Sequence, residues 1–278
     1  MKIGFVGAGH VGVSMGSYMS WRGLSLSGYY DTNVEAAQKG ADLVGGVVFS
    51  SLSEMITSCE WIFITVPDDV IATVWTQCQQ YDIRGKVFVH CSGAMSSDIF
   101  AGAVDSEAYV FSMHPIQAFP AVISTQFMER VFFTVEGMGP REMIEALFDM
   151  LGNGYKWIYP ADKVRYHLAA VMLSNMVCAL YSKGRGLLLQ CGFSDEEVSR
   201  CFYSMFVDNA VNVASIGCRE ALTGPVERND VGTIEKHLQI LNGDDRELYR
   251  ILSEELVKIA KEKRESCDYS SLYSLLQS

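Results

Sequence analysis

Two histidines and one helical stripe carry most of the chemistry visible in this chain. His114 stands before Pro115 at the end of a short apolar run, and His167 lies in a stretch where Lys163, His167, Val171, Ser174 and Cys178 recur at helical spacing, with Asn175 beside Ser174. An imidazole with an ordinary pKa near ~6.5 suits proton transfer at neutral pH. Polar groups on an otherwise apolar helix need partners, and a crevice supplies them. His114, His167 and Asn175 are therefore the candidate catalytic set. Lys163, Ser174, Asn175, Arg228 and Thr233 are candidate substrate contacts, Arg228 as a fork for a carboxylate and Thr233 through a hydroxyl near a helix start. The plainer readings are a His-Pro turn, hydrogen bonds between helices, a surface arginine, and Asp230 as a helix cap.

A second constellation opens the chain. The apolar run 3–6 leads directly into Gly7-Ala8-Gly9-His10-Val11-Gly12 and then a helical pattern. Gly7 permits a tight turn, Gly9 lets backbone approach a pyrophosphate, and Gly12 lets the helix pack closely on the strand. The next strand ends at Asp31, whose carboxylate can accept both hydroxyls of an adenosine ribose and repels a 2′-phosphate, so the cofactor expected is NAD or NADP with NAD favoured. Two further strand ends, Val66-Pro67 and Cys91-Ser92, should line the nicotinamide half of the crevice, with Ser92 and Gly93 facing a substrate. His10 would sit beside the pyrophosphate. His90, inside an apolar strand, reads as a satisfied core histidine.

The elements that must position these residues follow from pattern. Apolar runs at 3–6, 24–30, 47–49, 61–66, 86–91, 109–113, 131–135 and 156–158 alternate with helix-length segments, which predicts an α/β, doubly wound, mostly parallel Rossmann-like sheet. From Ala161 onward the strand signal stops. A helix is expected over 162–191, another from the capping box Ser194…Glu197 to about 222, a third after Asp230, and a last one to about 265. The expected organisation is residues 1–159 as a dinucleotide-binding domain and 160–278 as an all-α substrate and dimerisation domain.

Composition narrows the partners. The 278 residues contain 22 Lys and Arg against 33 Asp and Glu, a net charge of −11, with 49% hydrophobic and 20% charged residues. Such a chain can fill a core and carries no basic patch for nucleic acid. The apolar stretch 168–181 is too short and too interrupted to span a bilayer, and no signal-peptide pattern precedes the first strand, so a cytoplasmic protein is expected. Eight scattered cysteines without a CxxC pair, and five separated histidines, predict neither a metal site nor a disulfide framework.

The glycine turn, Val66-Pro67-Asp68-Asp69, His90-Cys91-Ser92-Gly93-Ala94, His114-Pro115 through Phe119, Tyr166-His167 through Asn175, and Thr223-Gly224-Pro225 with Arg228, Asp230, Thr233 and His237 together resemble a bacterial oxidoreductase-type family. Its members join a Rossmann-like domain to a helical domain of unknown function, number 2520. More distantly the layout is similar to pyrroline-5-carboxylate reductase and the β-hydroxyacid dehydrogenases. The His-Pro pair resembles that of prephenate dehydrogenase, where the histidine accepts a hydrogen bond from the hydroxyl being oxidised. Members of the family often carry Arg at position 10 and a basic residue at position 31; here His10 and Asp31 stand there.

These observations point to an NAD(P)-dependent oxidoreductase, a homodimer through its helical domain, moving a hydride to or from a small polar substrate between the domains. A dinucleotide-binding sensor without turnover is the alternative, and a methyltransferase on a similar sheet is a weaker third.

Overall fold

The computed structural model describes all 278 residues. The chain runs β1 (Lys2–Val6), α1 (His10–Trp21), β2 (Ser25–Tyr30), α2 (Val34–Val44), β3 (Val47–Val48), α3 (Leu52–Ser58), β4 (Trp61–Ile64), α4 (Asp68–Cys78), β5 (Val87–His90), β6 (Tyr109–Pro115), α5 (Thr125–Met128), β7 (Phe133–Met138), α6 (Arg141–Leu151) and β8 (Tyr155–Trp157). Helices α7 (Lys163–Leu173), α8 (Asn175–Gln190), α9 (Asp195–Ala221), α10 (Val231–Ile240), α11 (Gly243–Lys263) and α12 (Ser270–Gln277) follow. None is long and apolar enough to cross a membrane.

All eight expected strands form, in one sheet of order β3-β2-β1-β4-β5-β6-β7-β8. Every pairing is parallel except β6 with β7. β4 and β5 are buried along their whole length, the signature of central strands covered by helices on both faces. One face packs Ile3, Phe5, Tyr29, Phe63 and Val89 beneath α1, α2 and α6, and the other packs Ile62, Ile64, Trp75 and Phe88 with α3 and α4. Phe5 stacks on both Tyr29 and Phe63, with ring centroids 5.3 and 5.1 Å away.

The glycine turn has the geometry its spacing predicts. Gly7 adopts φ +99°, accessible mainly to glycine, and a Cβ on Gly12 would lie 2.4 Å from Gly7 O and 2.5 Å from Thr65 Oγ1. The first turn of α1 therefore rests directly on the ends of β1 and β4. A Cβ on Gly9 would meet nothing within 4 Å, so the same turn stays open on its outer side.

Three departures from the sequence pattern have local causes, the first being that the helix expected from 194 to about 222 is kinked at Gly217, whose φ of +82° is accessible mainly to glycine. The helix expected over 162–191 breaks at Ser174, which leaves helical geometry (φ −126°, ψ −70°) while its hydroxyl bonds Ala170 O at 2.7 Å. A serine hydroxyl bonded back to a carbonyl four residues earlier competes with the helix's own ladder. The C-terminal helix α12 was not expected; it is short, and Leu272 and Leu276 bury its apolar side. The capping box at Ser194 and Glu197 and the Asp230 cap both form.

Contacts divide the chain into Met1–Met176 and Val177–Ser278. This division falls beyond the expected 159/160 boundary because α7 is anchored in the first unit through Lys163. The second unit has its own core, built from Val226, Ile234, Leu238, Val257, Tyr269 and Leu272. Its α8 and α9 segments leave Leu180, Tyr181, Leu187, Tyr203, Met205 and Phe206 exposed.

Gly12→Ala should cost about 1–3 kcal/mol in urea denaturation, because backbone and Thr65 must yield to the new methyl. Gly9→Ala should stay within about 0.5 kcal/mol of the parent, since that methyl enters open space.

Candidate functional site

Strand ends assemble two cavities at the carboxyl edge of the sheet, the edge at which open α/β sheets bind ligands. The first, about 360 Å³, lies over β1, β2 and β4 and is lined by Gly7, Gly9, Asp31, Thr32, Val66 and Pro67 among others. Asp31 is fixed there by two backbone donors: Ala8 N–H at 2.7 Å on one carboxylate oxygen and Asn33 N–H at 2.8 Å on the other. Both oxygens keep lone pairs for further donors. The N-terminus of α1 has Gly9 as its cap residue and no side chain capping it, which leaves its first N–H groups for an anion. Open space at Gly9, an uncapped helix end and a held carboxylate fit a dinucleotide. His10 faces a different duty, donating Nδ1–H to Phe119 O at 3.1 Å and so tying the loop after β6 to the glycine turn.

The second cavity, about 500 Å³, lies at the end of β6 and is lined by His114, Gln117, His167, Val171, Ser174 and Asn175 among others. It brings together both candidate histidines and the two polar residues at the helix break. Sheet order puts β4 and β5 between β1 and β6, a span of roughly 14 Å at ordinary strand spacing. His114 Nδ1 is 2.7 Å from the Tyr166 hydroxyl, and the ring stands edge-on to His167 with centroids 6.5 Å apart. Both imidazoles press on Gly93: a Cβ there would lie 2.7 Å from His167 Nδ1 and 2.9 Å from His114 Nε2. His167 Nδ1 is buried without a hydrogen-bond partner.

Beneath this pair runs a polar row inside the sheet. His90, Ser112 and Glu136 are in register across β5, β6 and β7, and all three are buried. His90 is the satisfied core histidine its context suggested. Its Nδ1 accepts from Ser92 N–H at 3.2 Å, so Nε2 carries the proton and donates to Ser96 O, also at 3.2 Å. Burial, then the Lys163 charge, lower its pKa to about 4. Glu136 accepts from Ser97 N–H and Ser97 Oγ–H, each at 2.7 Å, and burial raises its pKa.

Several expected roles change in this setting. Lys163 does not face the cavity: it is 1% exposed, and Nζ donates to Ser92 O at 2.8 Å and Ser112 Oγ at 2.7 Å. Burial lowers its pKa to about 8, against the opposing pull of Glu136. The Ser92 hydroxyl is likewise committed, donating to Asp68 at 2.8 Å and accepting from Ala94 and Met95 N–H. His114 does not titrate near neutrality. Burial first, then Lys163, His167 and His90, depress it to about 3, so the ring is neutral. Cys91 sits part-buried at the end of β5, with Sγ 3.4 Å from Met15 Sδ. Arg228 and Thr233 belong to the second unit. There Arg228 is exposed, and Thr233 gives both N–H and hydroxyl to Asp230, at 3.0 and 2.7 Å, as the first turn of α10.

Tyr166, Ser112, Glu136 and Asp68 are the polar residues of this region that spacing did not single out. The signals were present: a single carboxylate within the apolar run of β7, and a tyrosine adjoining His167.

Residues 2–93 match the family described as NADP oxidoreductase, coenzyme F420-dependent, and residues 131–256 match the domain of unknown function 2520. A sequence comparison with curated proteins gives no match. Among solved structures, a Bacteroides fragilis protein assigned as an NADP oxidoreductase is 21% identical, with a TM-score of 0.73 over 92% of this chain and 98% of that one. A Thermotoga maritima protein is 24% identical, with a TM-score of 0.74 over 94% and 99%. The imine reductase from Myxococcus stipitatus, solved with NADP+, is 15% identical, with a TM-score of 0.60 over the whole of both chains. At these identities the likeness is one of fold. By its two family matches, the chain joins a nucleotide-binding domain of the F420-dependent NADP oxidoreductase kind to a domain of unknown function 2520, and is an oxidoreductase of that composition.

Proposed function

We propose that the protein transfers a hydride between a nicotinamide dinucleotide and a small polar substrate bound in the cavity lined by His114, His167, Ser174 and Asn175. The observation that carries this reading is the common sheet edge. An open, uncapped glycine turn and a neutral histidine–tyrosine pair lie at strand ends separated by two intervening strands. The dinucleotide, when bound, supplies or accepts the hydride.

The chain's own part is to bind and orient. Gly9, Val11 and Gly12 present backbone to the pyrophosphate, whereas the N–H groups of Gly7 and Ala8 are given to Tyr30 O and Asp31 and shape the turn. Asp31 offers its remaining lone pairs to a ribose diol, which favours NAD over NADP. Val66, Pro67 and Cys91 border the path from that turn toward β6. Around the substrate, neutral His114 pairs at Nδ1 with the Tyr166 hydroxyl, and in the tautomer that keeps its proton on Nε2 Tyr166 is the donor. His114 then acts as a hydrogen-bond donor that polarises a C=O or C=N group, not as a cationic acid. Asn175 and His167 add donors and acceptors around the same space. The exposed apolar residues of α8 and α9 support a homodimer through the helical part.

Thermal-shift titration with NAD, NADH, NADP, NADPH and S-adenosylmethionine is the direct test. Stabilisation by NADH should exceed that by NADPH and should weaken in Asp31→Ala. No response to any nicotinamide cofactor would sink the reading. Gly9→Ala, stable on the grounds given above, should nevertheless lose at least tenfold in NADH affinity by calorimetry.

Neutral, buried His90 and His114 also fix the sign of a pH dependence. Their folded pKa values lie below the unfolded value near ~6.5, so their contribution is complete above that pH and is lost as pH falls toward 4 and 3. Each histidine should steepen the decline by up to about 1.4 kcal/mol per pH unit. Urea denaturation between pH 4.5 and 7 should show a shallower slope in His114→Asn than in the parent, and equal slopes would contradict the neutral assignment. Light scattering should find a dimer, with Phe206→Asp shifting it toward monomer.

A further inference from the structure

We propose that Lys163 is the positioning residue of this site: its buried ammonium, donating to Ser92 O and Ser112 Oγ from the first turn of α7, locks Tyr166 and His167 against His114 and sets a fixed positive charge beside that imidazole. The proposal rests on reading the His114 cavity as the reaction site.

Geometry makes the first half of the case. Tyr166 and His167 stand three and four residues after Lys163, on the helical face that Lys163 itself defines. The two acceptors of Nζ belong to the other two elements of the site. Ser92 precedes Gly93, on which both imidazoles press, and Ser112 stands two residues before His114 on the same face of β6. One side chain thus joins the β5 loop, β6 and α7, the three segments whose separation sets the distance between His114 and its partners. Hydrophobic packing alone would not fix that register, since exposed Val164, Leu168 and Met172 show how little of α7 is buried.

Charge makes the second half. No carboxylate forms an ion pair with Lys163; its two contacts are a carbonyl and a hydroxyl. Glu136 on β7, Asp68 at the start of α4 and the Cys91 thiol after β5 face it electrostatically and favour its protonation, while burial opposes it. His114 in turn faces Lys163, His167 and His90, every one a cationic or potentially cationic group, with Tyr166 as its hydrogen-bond partner and Thr134 opposite in register. A buried positive charge without a bonded counter-ion raises the cost of charging any imidazole beside it.

The test uses the full chain labelled with 15N-histidine and followed by NMR across pH. In Lys163→Met, His114 should titrate roughly half to one pH unit higher than in the parent, while remaining below the ordinary value because burial persists. The NADH thermal shift should be retained in that variant, since Lys163 is placed away from the glycine turn. An unchanged His114 midpoint, or loss of the NADH response in a chain that still melts cooperatively, would overturn the proposal. A second measurement needs no variant: in the parent protein the His114 and His90 ring nitrogens should show a shared inflection at about pH 8, where Lys163 releases its proton. Flat shifts through that range would equally refute it. If the parent itself ignores NADH, the functional reading fails but the imidazole titration still decides the role of Lys163.

Discussion

A single ammonium withdrawn from water constrains the polar architecture of this protein. Lys163 cannot be buried without acceptors, and the acceptors it finds are a carbonyl from the loop after β5 and a hydroxyl from β6. Meeting that requirement brings α7 down onto the strand ends. The helix that carries Tyr166 and His167 is therefore held less by its apolar residues, most of which are exposed, than by one charged group with two fixed partners. Its nearest carboxylate neighbour electrostatically, Glu136, is itself fully engaged by Ser97.

The two cavities follow different physical logics. At the glycine turn the polar groups left facing the cavity are backbone N–H groups and one held carboxylate. Gly12 is compressed against Gly7 and Thr65 while Gly9 opens outward, so one motif supplies both tight packing and access. At the end of β6 the polar groups lining the cavity are side chains, and burial keeps one of them, His114, uncharged. A neutral imidazole flanked by a tyrosine hydroxyl is suited to directing a hydrogen bond at a developing negative charge without first surrendering a proton.

Much of this was legible in the sequence because it depends on local pattern. All eight strands, the glycine turn, the Asp31 position, the core role of His90 and the Asp230 cap follow from spacing and residue type. What was not legible depends on tertiary register. Lys163 carries the same helical spacing as His167, and only the strand ends above it decide that one points into the sheet and the other into a cavity. Glu136 and Ser112 acquire meaning only once β5, β6 and β7 are aligned. The break at Ser174 rests on a single side-chain hydrogen bond that competes with the helix, a contest that apolar periodicity does not register.

The antiparallel pairing of β6 with β7 is where the sheet reverses polarity, and it coincides with the start of the second family match at residue 131. Strands β7 and β8 thus lie in the same sheet as β1 to β6 while falling within the matched segment that continues into the helices. β6, at residues 109–115, lies in neither matched segment, and its ladder with β7 ties the second match to the sheet that the first match begins. Severing the chain before β7 would strip β6 of its antiparallel partner and leave an unpaired, largely apolar edge. A cut that keeps this sheet whole therefore has to fall beyond β8.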